Sequence, residues 1–258
     1  MTDTTGKRIT GIIPARYGST RFPGKPLAKL GDRILIQHVF EKSSVALSET
    51  YVATDDPRIF DAVVSFGGRA VMTSSLHPSG TDRCAEAAAE IEKLTGKSID
   101  VVINIQGDEP FIKPDQIRLL VSAFNDPEVE IATLIREVKP GEDLSDPNHP
   151  KVVTDLKGNA IYFSRSVIPF LRDIKEKENW ILKHRYFKHI GIYGYRKETL
   201  LSITGLKPAP LEKAESLEQN RWIENGFRIR TKVTEWESIS VDTPEDLAAA
   251  ARYLEMNK

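Results

Sequence analysis

The stretch DVVINIQGDEP, Asp100–Pro110, decides the reading of the fold. Val101, Val102, Ile103 and Ile105 run almost without a polar break, then give way to Gly107, Asp108, Glu109 and Pro110. A strand with one wet face alternates apolar and polar residues, whereas a strand covered on both faces reads as a β-branched run. Asp100–Pro110 has the second pattern, so layers must lie on both sides of it. RITGIIPA, residues 8–15, has the same pattern and leads directly into a loop. Helical spacing in ILIQHVFEKSSVA separates it from the next strand-like run, TYVATDD. DPRIFDAVVSFGG then reads as a helix with Asp56 as N-cap, Pro57 in the first helical position and Gly67–Gly68 as the stop. RAVMTS is a short strand, TDRCAEAAAEIEKLTG a helix ended by Gly96, KPDQIRLLVSAFND a helix, and EIATLIREV a strand.

Strand and helix alternate throughout, which predicts an α/β fold: an open, mostly parallel sheet with helices on both faces. The middle of the chain departs from this. KVVTDLKGNAIYFSRSVI reads as a β-hairpin turning at Lys157, Gly158 and Asn159, and a charged, then aromatic, segment follows it. We expect one domain over 1–258 with an insertion at about 140–190 that closes the site from one side and forms a subunit contact. LEKAESLEQNRWIENG reads as one helix ended by Gly226, FRIRTKVTE as a strand and TPEDLAAAARYLEM as a closing helix.

The 258 residues balance 36 Lys and Arg against 37 Asp and Glu, for a net charge of −1. That balance argues against bulk electrostatic binding to nucleic acid or a membrane, though not against a local basic pocket. The single cysteine, Cys84, cannot pair internally and lies in a helical run, where a packed thiol is expected and a reducing cytoplasm is the natural setting. The polar N-terminus lacks the features of a signal peptide, and no apolar run is long enough to cross a bilayer.

Open parallel sheets bind ligands beyond the carboxyl ends of their strands. Two such ends are rich in chemistry. After Ile13 comes PARYGSTRFPGKPL, in which Arg16, Arg21 and Lys25 share one short Pro- and Gly-containing loop. It is neither the G-x-G-x-x-G of a dinucleotide site nor a P-loop. A polyphosphate would relieve the repulsion among its cations; solvated surface charges are the alternative. After Ile105 come Gln106, Asp108 and Glu109. A third element is VDTPED: with Pro244 in the first helical position, Thr243 serves as N-cap and Asp242 lies outside the cap. Asp242 then either faces a metal or sits favourably near a helix N-terminus.

The loop closely resembles the nucleotide signature of the 3-deoxy-manno-octulosonate (Kdo) cytidylyltransferases, and HPSGTDR, INIQGDEP, KVVTD, YFSRSVIP, KHIGIYGYR, SLEQNRW and VDTPEDL resemble that family's blocks in the same order. The departures are Gly18 for Ala, Phe22 for Leu and Pro78 for Gln. The resemblance covers nearly the whole chain. It implies transfer of CMP from CTP to Kdo, with release of diphosphate and use of the product in lipopolysaccharide biosynthesis. It also implies Mg2+ on Asp108 and Asp242, and triphosphate held by Arg16, Lys25 and Arg21. Ser79, with Arg83 beside it, would read the cytosine. Gln106, Arg165, His189, Tyr193, Glu218 and Gln219 would line the sugar pocket, with Arg165 and His189 able to meet the sugar's carboxylate. A homodimer is implied as well. Against this stand a nucleotidyltransferase for another acid sugar or a sugar phosphate, and a non-catalytic nucleotide-binding protein that kept the fold.

Overall fold

The computed structural model describes residues 6–18, 21–237 and 239–256. The expectations for the extreme N-terminus and for Ser19 and Thr20 of the basic loop fall outside them. The strands are β1 (Ile9–Ala15), β2 (Lys29–Leu30), β3 (Arg33–Ile34), β4 (Thr50–Thr54), β5 (Ala70–Met72), β6 (Val101–Asn104), β7 (Ile131–Glu137), β8 (Lys151–Thr154), β9 (Ala160–Ser164), β10 (Phe187–Arg196) and β11 (Ile229–Thr234). The helices are α1 (Leu35–Ala46), α2 (Pro57–Ser65), α3 (Gly80–Thr95), α4 (Pro114–Val121), α5 (Trp180–Lys183), α6 (Lys197–Thr204), α7 (Pro210–Glu215), α8 (Glu218–Glu224) and α9 (Pro244–Met256). None is long and apolar enough to cross a membrane.

The central sheet runs β11-β7-β10-β6-β1-β4-β5, with β8 and β9 carried off β10. Strand β1 pairs in parallel with β4 on one side and β6 on the other. Successive residues of β6 serve opposite cores, as the pleat requires. Val101 and Ile103 join a cluster with Ile36, Val39, Ile117 and Leu120 of α1 and α4. Val102 joins another with Cys84, Ala88 and Ile91 of α3 and Leu200 of α6. The double burial read from Asp100–Pro110 is therefore real. Cys84 is fully buried, and desolvation raises its thiol pKa far above the ordinary range. Asp56 caps α2 by accepting from the Arg58 N–H at 2.9 Å, and Gly96 ends α3.

Two features differ from the sequence reading. The strand at the end of the inserted region, β10, is a central member of the main sheet and antiparallel to both β6 and β7. The chain enters it on its way back from the insertion, at the carboxyl ends of its neighbours. The expected helix over 211–226 is two helices, parted at Ser216, a non-glycine residue at φ 51°. Its periodicity is helical throughout, but the chain breaks at Ser216, and Glu215, the last residue of α7, is held by the hairpin. Its carboxylate accepts from Ser164 Oγ (2.6 Å), Tyr162 Oη (3.0 Å) and the Arg165 N–H (3.0 Å) of the hairpin strand.

Buried ion pairs tie the inserted segment to the sheet. Glu142 bonds Arg136 of β7 at 2.6 Å and Lys188 of β10 at 3.0 Å. Burial pushes its carboxyl up, but the two hydrogen-bonding cations outweigh this and hold it at about 2.

Where β10 crosses α4's end, Gly194 lets the strand approach the layer below. A Cβ there would lie 2.5 Å from the buried Phe124 ring and 3.0 Å from Ile103. Gly194→Ala should destabilise the fold by about 1–3 kcal/mol through overpacking, measured by urea unfolding; unchanged stability would show that the layer can give way.

Candidate active site

Strand β1 is the point at which the sheet order reverses: the chain proceeds from it to β4 and β5 on one side and then to β6 on the other. Beyond the carboxyl ends of β1 and β6 lies a cleft of about 310 Å³. Of the expected site residues, Arg16, Arg21, Lys25, Ser79, Arg83, Gln106, Asp108 and Asp242 all line it. The loop after β1 folds back on itself as Gly24 N–H donates to Tyr17 O (2.9 Å), and Gly24 takes φ 72° against the Tyr17 ring, a backbone that favours glycine. The Arg58 guanidinium lies over the same Tyr17 ring, 3.4 Å from its centroid.

One ammonium joins the two expected metal ligands. Lys25 Nζ donates to Asp108 Oδ2 at 2.7 Å and Asp242 Oδ1 at 3.1 Å, and Arg21 reaches Asp242 Oδ1 at 3.1 Å. The backbone brings the carboxylates together, since Val241 N–H donates to Asp108 O at 2.8 Å. Helix α9 holds that segment: Val241 and Ala250 pack with Leu30, Leu35 and Phe111. The cap is reciprocal. Asp246 N–H donates to Thr243 Oγ1 (3.2 Å), while Asp246 Oδ2 accepts from the N–H groups of Asp242 and Thr243 (3.0 and 2.9 Å). Asp242's carboxylate is thus spared from capping and turned to the cleft, as expected from VDTPED.

Across the cleft, Ser79 caps α3: its Oγ accepts from the Asp82 N–H at 3.2 Å and donates to Asp82 Oδ2 at 2.6 Å. Arg83 is nearly buried and holds the turn from below, donating to Thr73 Oγ1 at 2.7 Å and standing 3.5 Å from Asp55. Pro14, His77, Gly80 and Gly107 also line the cleft. None was singled out from the sequence, although each lies inside a stretch that was.

The expected sugar residues divide. Gln106 is in the cleft lining; Glu218 lies just behind Ser79 and accepts from Thr81 Oγ1 at 2.7 Å. Tyr193 and Gln219 are buried beside it, and Tyr193 Oη and Gln219 Nε2 have no hydrogen-bond partner. His189 contacts the Tyr193 ring at 5.2 Å and shares a hydrogen bond with Thr133 Oγ1 at 3.0 Å. Burial lowers its pKa to about 3, so it is neutral at pH 7 and offers a carboxylate no positive charge. Arg165 is engaged elsewhere, donating to the carbonyls of Glu215 (2.7 Å), Pro147 (2.8 Å) and Ser216 (3.4 Å). Among the described residues, none from about 140–190 lines this cleft. Sequence reasoning passed over Tyr195 and Trp222, whose buried Oη and Nε1 atoms are also unpartnered and whose rings meet at 5.6 Å.

Known proteins agree with this architecture. The family model described as Cytidylyltransferase matches residues 10–233. A 3-deoxy-manno-octulosonate cytidylyltransferase of Phocaeicola vulgatus is 52% identical over 97% of this chain and 99% of its own length. The protein of the same name from Bacteroides thetaiotaomicron is 52% identical over 96% and 98%. A solved CMP:2-keto-3-deoxy-manno-octonic acid synthetase complexed with CTP superposes with a TM-score of 0.88 at 39% identity, covering 98% of this chain and 100% of that one.

Because the folded pKa of His189 lies below the ordinary histidine value of about 6.5, protonation favours the unfolded chain. Its contribution to stability is intact above about pH 6.5 and declines as the pH falls towards 3. Ring-nitrogen NMR should find His189 neutral from pH 8 to pH 5; a titration midpoint near 6.5 would contradict its burial.

Proposed function

We infer that this chain, which belongs to the 3-deoxy-manno-octulosonate cytidylyltransferase family, activates Kdo with CTP to give CMP-Kdo and diphosphate. The observation that carries this reading is the meeting of Lys25, Asp108 and Asp242 with Arg16 and Arg21 at the carboxyl ends of β1 and β6. The anomeric 2-hydroxyl oxygen of the sugar attacks the α-phosphorus of CTP in line. A new P–O bond forms as the bond to the β-phosphate breaks, the hydroxyl proton is lost, and diphosphate takes the electron pair. Such a reaction needs chiefly positioning and charge stabilisation. Arg16, Arg21 and Lys25 hold the triphosphate. The small turn at Ser79 and Gly80 receives the pyrimidine, supported by Arg83.

Asp108 and Asp242 would hold Mg2+. Their oxygens already converge on one cation, and magnesium is commonly bound by one or two carboxylates together with waters and substrate phosphates. Among the described residues no group of three or more His, Cys, Asp or Glu forms a self-sufficient cage, which suits an ion completed by the nucleotide. When bound, the ion supplies charge neutralisation on the phosphates and a lowered pKa for the attacking hydroxyl.

Gln106, Glu218, Gln219 and Tyr193 offer the sugar hydroxyls hydrogen-bonding groups, and His189 offers a neutral one. Arg165 would reach the sugar's carboxylate only by releasing its carbonyl partners, which assigns that contact to a closed state. A homodimer through the inserted hairpin fits the exposed apolar side chains of Leu156 near its turn and Ile161 on β9. A reducing cytoplasm fits the buried, lone Cys84, and the product would enter lipopolysaccharide biosynthesis.

Diphosphate release from each nucleoside triphosphate with a panel of sugar acids and sugar phosphates separates this reading from a neighbouring specificity. CTP with Kdo should give the highest kcat/KM. Asp108→Asn and Asp242→Asn should fold normally, since volume is kept and Thr243 still caps α9, yet each should lose turnover by about a hundredfold or more, equivalent to roughly 2.7 kcal/mol. Wild-type turnover persisting in excess chelator, or Asn variants with unchanged rates, would overturn the metal role.

A further inference from the structure

Helix α3 begins with three residues that face two ways. Ser79 and Gly80 line the nucleotide cleft. Thr81, the next residue, is 4% exposed and turns away from it, donating its Oγ1 hydrogen bond to Glu218 Oε2 at 2.7 Å across 137 positions of sequence. Glu218 opens α8 and has one other charged neighbour on that helix, Arg221, at 3.9 Å. The Ser79 hydroxyl also lies close to this carboxylate, but it donates to Asp82 Oδ2 at 2.6 Å, which leaves the Thr81 hydroxyl to set where the Glu218 oxygens point. A second observation marks the far side of Glu218 as polar and unsaturated. Tyr193 Oη, Tyr195 Oη, Gln219 Nε2 and Trp222 Nε1 are buried without partners, and the two tyrosine rings stack at 5.9 Å with Trp222 edge-on to both. Buried polar atoms are usually paired with protein or ordered water, so a cluster left without protein partners offers its hydrogen bonds to water or to a polar ligand.

We propose that Thr81 is a positioning residue: it aims Glu218 at the hydroxyls of the sugar acid and ties that aim to the turn that receives the nucleotide. This rests on the reading, given above, that Glu218 faces the sugar. The chemistry follows from the donor. A hydroxyl bound to one carboxylate oxygen leaves the other free to accept from a substrate hydroxyl. Because Ser79, Gly80 and Thr81 form one helical start, a nucleotide that orders Ser79 and Gly80 also orders Thr81. CTP would thereby prepare the sugar pocket without touching it.

Three variants test this in the full chain: Thr81→Val, which keeps the shape and removes the hydroxyl; Thr81→Ser, which keeps the hydroxyl; and Glu218→Gln. Steady-state diphosphate release gives kcat and the KM for Kdo, and calorimetry gives the Kd for CTP. Thr81→Val should raise the sugar KM about tenfold, as expected for a lost hydrogen bond to a charged group. Its kcat and its CTP Kd should stay within about threefold of wild type, and Thr81→Ser should restore the sugar KM. Thr81→Val combined with Glu218→Gln should be no worse than Glu218→Gln alone. If Glu218→Gln leaves the sugar KM unchanged, the sugar pocket itself is wrongly placed. If Glu218→Gln raises it and Thr81→Val does not, the positioning role is overturned. An equal rise in Thr81→Ser, or a loss of CTP affinity in Thr81→Val as large as the rise in KM, would reduce Thr81 to packing and overturn the proposal as well.

Discussion

The Lys25 ammonium, held between Asp108 and Asp242, is the contact around which the cleft is organised. Two carboxylates at the end of a sheet repel each other unless a cation lies between them, and at an effective dielectric near 20 such terms amount to roughly 4 kcal/mol at 4 Å. The three residues come from the basic loop after β1, the turn after β6 and the entry to α9. The final helix is therefore part of the site: its packing on Leu30, Leu35 and Phe111 presses Asp242 towards the other two. Lys25 and Arg21 thus offset the two carboxylates. In the proposed reaction the ammonium belongs on the triphosphate, so nucleotide binding must exchange one set of partners for another.

The proposed sugar side follows a different logic. The nucleotide cleft is open, charged and built from loops, whereas the residues behind Glu218 are aromatic and buried in one of the two cores. His189, half-buried against Phe163 and Tyr193, is held neutral by desolvation, the same cost that unpartnered buried polar atoms carry. A sugar acid entering this region would trade its hydration for those buried groups, and selectivity follows from which hydroxyls can satisfy them. Arg165, proposed for the sugar's carboxylate, is bound to backbone carbonyls at the junction of the hairpin and α7.

Much of this was legible in the sequence because it is local. The run Val101–Ile105 needs cover on both faces, Asp56 and Thr243 sit where helix caps must, and Asp242 falls one residue outside its cap; each follows from a few neighbouring residues. What escaped depends on distant partners. Nothing within LEKAESLEQNRW shows that the first helix will end at Glu215, whose carboxylate is held by Ser164 and Tyr162 some fifty positions away. Nothing in KHIGIYGYR shows that its strand will enter the middle of the sheet in the opposite sense. Arg165 reads as an available cation until the carbonyls facing it are known. Thr81 reads as part of a helix start until Glu218 is found opposite.

A structure of the protein with CTP and magnesium tests the central claim most directly. The Lys25 ammonium should be found within hydrogen-bond distance of a phosphate oxygen, with Asp108 and Asp242 released from it and turned to the metal. If the triphosphate binds while Lys25 remains between the two carboxylates, the exchange of partners on which this account depends does not occur.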